Sequence, residues 1–285
     1  MIRLSRRTFV AGTLAFPFAA RAADNPLAAI ERTYRGRLGV TILDTATGRT
    51  LSHRANERFA MCSTFKLLAA AAMLKGVDDG RETLGRQVAI TKDKVIAYSP
   101  AVEKHLGGAM TLAALCEAAV TLSDNGAANL ILEALGGPKA VTALARSLGD
   151  TVTRLDRTEP ALNDVPPGDV RDTTTPAAMA RTVRALTLGD ALSDASRRQL
   201  CDWLIACKTG DKRLRAGLPK DWRVGDKTGT GPRGIANDVA VIWPTGRAPL
   251  VVTGYYQGAK SRNDRSANGH RDAVLAEVGR VAAAF

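Results

Sequence analysis

The chain has 285 residues, 45% of them hydrophobic, which is enough to build a substantial core in one large or two small domains. The formal net charge of +12 comes without a run of Lys and Arg interleaved with aromatic residues, which argues against nucleic-acid binding. The four cysteines show no zinc spacing, and the three histidines His53, His105 and His270 are far apart in the sequence, so we expect no metal and no cofactor.

The first 22 residues are typical of an export signal. A basic start precedes an apolar stretch from Phe9 to Ala20 and a small-residue cleavage site at Ala20-Arg21-Ala22. The pair Arg6-Arg7 resembles a twin-arginine motif. Because the apolar stretch is shorter than the ~20 residues of a membrane span, we expect cleavage and a mature chain free of the membrane. We expect this chain to be exported to the periplasm by the twin-arginine route.

The next elements are a helix around Asn25 to Arg35 and a hairpin whose turn lies at Asp44 to Gly48. From Ser63 to about Leu204, alanine-rich segments carry apolar residues at helical spacing and mostly end at glycine. Strand patterns return in WRVGDKTGTG, NDVAVIWP and PLVVTGYYQG, and the chain closes on the amphipathic helix RDAVLAEVGRVAAAF.

Strand patterns at both ends of the chain therefore bracket a helical segment. We predict an α/β (α+β) fold: an antiparallel sheet of about five strands, flanked by the terminal helices, packs against an all-helical domain. The active site is expected in the cleft between the two parts. The predicted boundaries are 23–58 and 209–285 for the two parts of the sheet domain and 59–208 for the helical domain, with a long active-site loop near 154–172.

The stretch MCSTFK places Ser63 and Lys66 three residues apart, so on a helix both lie on one face and the ammonium can reach the hydroxyl. Burial beside apolar neighbours would lower the lysine pKa and make the amine a base for the serine. The helix start would also offer backbone N–H groups to an oxyanion. A capping serine beside a lysine that extends to solvent is the alternative.

Two further short motifs are ambiguous when taken alone. Ser123-Asp124-Asn125 interrupts two helical segments, and it could present a hydroxyl and an amide to a cleft or simply form a turn. Lys227-Thr228-Gly229-Thr230 follows a strand pattern, and it could bind a carboxylate or form a basic turn.

The segment RLDRTEPALNDVPPGDVRDTTTP has no sustained period, contains four prolines and is longer than most structureless loops. Within it, Glu159 and Asn163 are one turn apart if the loop coils, so they could hold a water between a carboxylate and an amide. Solvated loop residues are the alternative.

The ordered combination of Ser-x-x-Lys, Ser-Asp-Asn and Lys-Thr-Gly resembles the motif set of class A β-lactamases and penicillin-binding proteins. The likeness extends from Val40 to about Tyr255, and the chain is identified as a member of the class A serine β-lactamases. This resemblance implies hydrolysis of the β-lactam ring of penicillins and cephalosporins, with antibiotic resistance as its consequence.

The resemblance also implies roles for individual residues. Ser63 attacks the lactam carbonyl, Lys66 and a Glu159-bound water share the general-base duty, and Ser123 relays a proton to the leaving nitrogen. Backbone N–H groups of Ser63 and Thr230 form the oxyanion hole, and Glu159 drives deacylation. The implied substrate-binding residues are Tyr98 as a cleft wall, Asn125 for the side-chain amide, Asn163 for the water, and Lys227, Thr228, Thr230 and Arg213 for the carboxylate. Alternatives are a surface aromatic at Tyr98 and a solvated arginine at Arg213.

Other family positions are structural or depart from the pattern. Arg157 and Asp172 would close the long loop through an ion pair, which a bidentate geometry would make rigid. Cys62 precedes the nucleophile, but Gly231 replaces its disulfide partner in the carbapenem-hydrolysing group, so that bridge cannot form. Cys116 matches a cysteine that is bridged in some members, but its partner position on the first helix is an alanine, Ala70, so Cys62 and Cys116 should both be free, buried thiols. Gly126 replaces a threonine and would loosen its turn.

Two alternative functions remain at this point. A penicillin-binding DD-peptidase shares the serine, lysine and Lys-Thr-Gly elements but would lack Glu159 with Asn163. A β-lactam-sensing module would stay acylated and usually hangs from a membrane span. We expect small-molecule β-lactam substrates as the partners and, since no exposed heptad is visible, a monomer.

Overall fold

The computed structural model describes residues 25–258 and 266–285, so the predicted export signal lies outside the described residues. The helices are α1 Pro26–Tyr34, α2 Phe65–Asp78, α3 Leu112–Thr121, α4 Asn125–Ala134, α5 Lys139–Ser147, α6 Pro176–Leu188, α7 Asp194–Ile205 and α8 Ser266–Ala284. The strands are β1 Arg37–Asp44, β2 Thr50–His53, β3 Phe59–Ala60, β4 Gln87–Ala89, β5 Ala109–Thr111, β6 Thr173–Thr174, β7 Arg223–Thr230, β8 Ile235–Trp243 and β9 Leu250–Gln257.

Strands from both ends of the chain form one five-stranded sheet in the order β2-β1-β9-β8-β7. Every neighbouring pair in it is antiparallel. This confirms the predicted sheet and places β7, which carries the Lys-Thr-Gly motif, at an edge. An edge strand leaves every second backbone N–H and C=O free to bind something else.

Both faces of the sheet are buried, because successive strand residues point to opposite sides. On one side, alternate residues such as Ile42, Ala240 and Val252 pack with α1 and α8. On the other side, Val241 and Val251 join the core of the helical layer. The sheet is therefore the middle of three layers, and its edge at β7 borders the helical part.

The helical segment is organised around α2, whose residues are nearly all buried, as expected for a helix that is apolar on every side. Its neighbours begin at side-chain caps: Thr111, Asp124, Thr175 and Ser193 each accept a hydrogen bond from the first turn of the helix that follows. Two short antiparallel ladders, β3 with β6 and β4 with β5, add strand structure to a segment expected to be all helical. Among the described helices, none has the length and apolar character needed to cross a bilayer.

Candidate active site

Ser63 lies in a single 3-10 turn, Cys62–Thr64, directly before α2. Its hydroxyl donates a hydrogen bond to Glu159 Oε1 at 3.2 Å. Cys62 adopts a left-handed backbone with φ of 45°, which is uncommon for a residue other than glycine and typical of positions held by their surroundings. The turn thus presents Ser63 to the side of the long loop and not along the helix axis.

Lys66 is fully buried, with 0% of its surface exposed, so the alternative of a lysine extending to solvent is wrong. Its ammonium donates to Ser123 O at 2.7 Å and Asn125 Oδ1 at 2.6 Å, and it lies 3.2 Å from Glu159 Oε1. The predicted direct contact with the Ser63 hydroxyl is not made, because that hydroxyl turns to Glu159. Burial lowers the pKa of Lys66 to about 8, against the opposing attraction of the Glu159 carboxylate.

The two carboxylate oxygens of Glu159 therefore have different partners. Oε1 contacts Ser63 and Lys66, whereas Oε2 contacts the long loop. Asn163 Nδ2 donates to Glu159 Oε2 at 2.5 Å. Asn129 on α4 exchanges two hydrogen bonds of 2.9 Å with the backbone N–H and C=O of Glu159. Sequence reasoning missed Asn129. The one feature that could have indicated it is that a polar residue lies within the apolar segment AANLIL. The alternative of solvated loop residues is wrong for Glu159, which is buried.

The predicted ion pair between Arg157 and Asp172 closes the neck of the loop. Arg157 Nε donates to Asp172 Oδ2 at 2.5 Å, and the other carboxylate oxygen accepts the backbone N–H groups of Asp156 and Arg157. Nη2 of Arg157 donates to Asp164 O, so the predicted ion pair is present but is not bidentate. Rigidity comes instead from one buried carboxylate that accepts three N–H groups.

Asp172→Asn is expected to lower the free energy of unfolding by about 1–3 kcal/mol, because a charged acceptor is replaced by an amide whose NH₂ opposes Arg157 Nε. Asparagine also tolerates the positive φ of 56° at this position. Urea unfolding of the purified protein measures the change. Asp169→Asn, on an exposed pair with Arg171 in the same loop, is the control and should change stability clearly less. Equal effects would contradict the role assigned to Asp172.

Ser123 lies between α3 and α4 in a left-handed conformation with φ of 60°. Its hydroxyl accepts from Lys227 Nζ at 3.1 Å and is 3.5 Å from Lys66 Nζ. Burial lowers the pKa of Lys227 as well. The alternative of a simple turn is thus wrong: a buried hydroxyl lies between two buried ammonium groups, which is a path for a proton.

Asn125 and Tyr98 form the opposite wall. Asn125 Nδ2 donates to Ala97 O at 2.9 Å, and its backbone N–H donates to Tyr98 O at 2.9 Å, so the wall is tied together. Tyr98 is 62% exposed and lines the cleft, as the wall interpretation requires. The expectation that Gly126 loosens this turn is wrong. A Cβ there would lie 2.8 Å from both Lys94 O and Ser99 Oγ, so only glycine fits the close approach.

On the β7 side, Thr228 and Thr230 line the cleft while Lys227 lies behind them, fully buried. Thr228 Oγ1 is 2.6 Å from Thr209 Oγ1, which also lines the cleft. Sequence reasoning missed Thr209, because a lone threonine in CKTGDK carries no motif. The interpretation of Lys227-Thr228-Gly229 as a basic turn is wrong, since the residues are in a regular strand.

Arg213 is 5% exposed, so the solvated alternative is wrong. Its guanidinium donates to Asp272 Oδ1, to the carbonyls of Gly229 and Asn237, each at 2.8 Å, and to Thr230 Oγ1 at 2.7 Å. The charge is thereby fixed beside the threonines, where it favours an anionic group in the cleft.

The cysteines and histidines lie outside this chemistry. All four thiols are free, as predicted for Cys62 and Cys116, and burial raises the pKa of both. A Cβ on Gly231 would lie 2.8 Å from Cys62 Sγ, so this glycine packs directly on the residue before the nucleophile. Within residues 25–258 and 266–285, no three His, Cys, Asp or Glu side chains are grouped as metal ligands would be.

Together these groups enclose a cavity of about 340 Å³, large enough for a small bicyclic molecule. The cavity is lined by Ser63, Tyr98, Ser123, Asn125, Asn163, Thr209, Arg213, Thr228 and Thr230. The nucleophile Ser63 lines this cavity, and a buried carboxylate and a buried lysine of lowered pKa lie directly behind it. A second hydroxyl, that of Ser123, also lines the cavity and contacts a further lysine. This arrangement suits acyl transfer from an anionic substrate.

Comparisons with known proteins point in one direction. A family model described as the β-lactamase enzyme family matches residues 22–284. The β-lactamase CTX-M-8 of Citrobacter amalonaticus is 52% identical over 87% of both chains, and the β-lactamase L2 of Stenotrophomonas maltophilia is 47% identical over 98% of both.

Solved structures agree with the sequence comparisons. An ancestral class A β-lactamase is 65% identical with a TM-score of 0.86 and covers 91% of this chain and 98% of its own. A putative class A β-lactamase from Rhodopseudomonas palustris is 57% identical with a TM-score of 0.87, over 91% of this chain and 98% of its own.

Proposed function

This chain belongs to the class A β-lactamase family, and from that membership we propose how its side chains divide the hydrolysis of a β-lactam ring. The enzyme hydrolyses β-lactam antibiotics and so confers resistance to them. The observation that carries the division of roles is the 3.2 Å hydrogen bond from Ser63 Oγ to Glu159 Oε1, an oxygen that also lies 3.2 Å from the buried Lys66 ammonium.

In acylation, Ser63 Oγ forms a bond to the lactam carbonyl carbon and loses its proton to Lys66 or, through a water, to Glu159. The C–N bond then breaks, and the nitrogen takes a proton from Ser123, which Lys66 and Lys227 contact. The result is an ester between Ser63 and the opened ring.

The oxyanion formed on the way is bound by backbone N–H groups of Ser63 and Thr230. Two features support this assignment. Ser63 lies at the start of α2, where N–H groups lack helical partners. The N–H of Gly231 bonds Ile235 O on the β8 side, and because alternate residues face opposite edges, the N–H of Thr230 faces the free edge of β7.

In deacylation, Glu159 takes a proton from a water that attacks the ester, and Asn163 orients that water. Asn163 binds Glu159 through Nδ2, while its Oδ1 is buried and has no hydrogen-bond partner among the described residues. An acceptor oxygen next to a carboxylate suits a water that must be held and then deprotonated.

The substrate carboxylate is held by Thr228 and Thr230, with Lys227 and Arg213 supplying positive charge, and Thr209 joins this set through its bond to Thr228. The carboxylate and the acyl side chain are at opposite ends of the bicyclic substrate. The side-chain amide therefore binds on the Asn125 side, against Tyr98, and the acyl substituent extends toward Asn163 and the loop.

The experiment that tests this proposal follows a penicillin and a chromogenic cephalosporin with the purified exported enzyme, recording turnover and intact mass. Many turnovers without a persistent adduct are expected. A long-lived acyl adduct on the unmodified protein would instead favour a penicillin-binding DD-peptidase or a sensing module. No turnover and no adduct would overturn the catalytic assignment.

We propose two domains, one formed by residues 23–58 and 209–285 and the other by residues 59–208. The separate cores on the two faces of the sheet support this division. We also propose a monomer exported to the periplasm, with the signal removed after Ala22.

Fractionation of cells that express the chain with Arg6 and Arg7 replaced by lysine tests the twin-arginine route, since the double variant should stay in the cytoplasm.

A further inference from the structure

An arginine outside the proposed catalytic groups connects two segments that continue from residues of the cleft. Arg233, in the turn between β7 and β8, donates from Nη1 to Asp164 Oδ1 at 2.9 Å and from Nη2 to Val165 O at 3.2 Å. The turn belongs to the sheet, whereas Asp164 and Val165 belong to the long loop. One side chain therefore connects the strand that ends at Thr230 with the segment that follows Asn163.

The turn that carries Arg233 is held in place by packing and by a backbone hydrogen bond. Gly231 packs on Cys62 Sγ, and its N–H donates to Ile235 O at 3.2 Å. Arg233 itself has a left-handed backbone with φ of 56°, a conformation that is costly for arginine and persists where the surroundings impose it. The guanidinium thus extends from a turn that is packed against the residue before the nucleophile.

A second arginine binds the same residue of the long loop. Arg157, which closes the loop neck through Asp172, donates from Nη2 to Asp164 O at 3.1 Å. Asp164 is therefore held by its carbonyl from the neck and by its carboxylate from the turn. Its neighbour Asn163 is the residue that binds Glu159 at 2.5 Å.

We propose that Arg233 is a specificity-determining positioning residue, whose bridge to Asp164 and Val165 holds the turn and the loop together at the end of the cleft that receives the acyl substituent. The inference rests on the proposed function, because it assumes that substrates bind with this substituent toward Asn163. A compact substituent fits beneath the bridge. A bulky branched substituent requires the turn and the loop to separate, and the bridge opposes that separation.

The expected size of the effect follows from exposure. The side chains of Arg233 and Asp164 are 33% and 67% exposed, so their attraction is partly screened by water and salt. Such a pair changes an equilibrium by about twofold to fivefold, which is enough to alter a preference between substrates but not to abolish turnover.

The test compares kcat and KM of the purified enzyme for a penicillin with a compact side chain and a cephalosporin with a branched oxyimino side chain. The variants are Arg233→Gln, Asp164→Asn and the double variant. Arg247→Gln is the matched control, since Arg247 is 35% exposed, pairs with Asp44 at 3.1 Å and lies away from the cleft. Thermal unfolding of each variant verifies that it is folded.

We expect Arg233→Gln to raise the ratio of kcat/KM for the bulky over the compact substrate by about twofold to fivefold. Asp164→Asn should shift the ratio in the same direction but less, because asparagine keeps an acceptor oxygen and Arg233 still donates to Val165 O. The double variant should match Arg233→Gln, because the Asp164 side chain acts on the ratio through its bond to Arg233. Arg233→Lys, which has one amino group for two acceptors, should fall between. High salt should move the ratio of the unmodified enzyme toward that of Arg233→Gln, and both substrates carry a carboxylate, so their common salt dependence cancels.

An unchanged ratio in Arg233→Gln, an equal change in Arg247→Gln or additive single variants would overturn the inference while leaving the hydrolase function intact. Absence of penicillin turnover in the unmodified enzyme is a different result, which would overturn the proposed roles and this inference together.

Discussion

Glu159→Ala is expected to leave the enzyme trapped as its acyl intermediate, with kcat for a penicillin reduced by about 10²–10⁴-fold, the contribution typical of a positioned general base. The reason is geometric: Glu159 is the carboxylate nearest Ser63 Oγ, and Asn163 binds its other oxygen. Intact mass after mixing should show the protein plus one whole penicillin, because ring opening adds the substrate without releasing a fragment.

The control for this variant is Glu133→Ala, which removes an exposed carboxylate on α4 that pairs with Lys94 at 2.6 Å. It should turn over penicillin at the unmodified rate. Turnover by Glu159→Ala at that same rate would contradict the role of Glu159. Loss of turnover without any adduct would place Glu159 in acylation instead, since Ser63 would then fail to attack.

Lys66→Met is expected to slow acylation by about 10²–10⁴-fold, because methionine fills nearly the same volume but cannot accept the Ser63 proton. Single-turnover measurements in the Glu159→Ala background isolate this step, since the acyl product accumulates there. In that background the reference is Glu159→Ala alone, and acylation by the double variant at the rate of Glu159→Ala would contradict a role for Lys66.

The pH dependence gives an independent test of the same assignment. Burial lowers the pKa of Lys66 to about 8, and only the neutral amine accepts a proton, so acylation through Lys66 should fall about tenfold per pH unit below that value. The Glu159 carboxylate opposes this lowering. Its removal in Glu159→Ala should therefore lower the pKa of Lys66 further and move the fall in acylation rate to lower pH. A shift to higher pH, or no pH dependence, would contradict Lys66 as the base.

Much of this molecule was predictable because the relevant signals are local. Strand patterns predicted β1, β7, β8 and β9, and helical spacing predicted α2 through α6, since each pattern reflects the geometry of a single element. The three motifs around Ser63, Ser123 and Lys227 predicted the cleft because their order along the chain is rare in combination. These patterns depend on near neighbours in sequence, and folding does not alter them.

The tertiary structure decided which groups meet. The spacing of Ser63 and Lys66 predicted a contact between them, but Glu159, from a loop 96 residues away, takes the serine hydroxyl. Asn129 and Thr209 belong to the site although no sequence motif marks them, and Arg233 binds the long loop from the turn between β7 and β8. Contacts of this kind depend on elements distant in sequence.

Burial was likewise decided only by packing. The sequence allowed a solvated position for Arg213. In the structure its guanidinium is buried by contacts with Asp272 on α8 and with carbonyls of two strands. The sequence suggested that Gly126 loosens its turn. In the structure, Ser99 and the Lys94 carbonyl occupy the space that a side chain at this position would need. The sequence by itself determined the elements and the chemical groups available. The exposure, charge state and partners of those groups were decided by tertiary structure, because desolvation and hydrogen bonding at each position sum over every element packed around it.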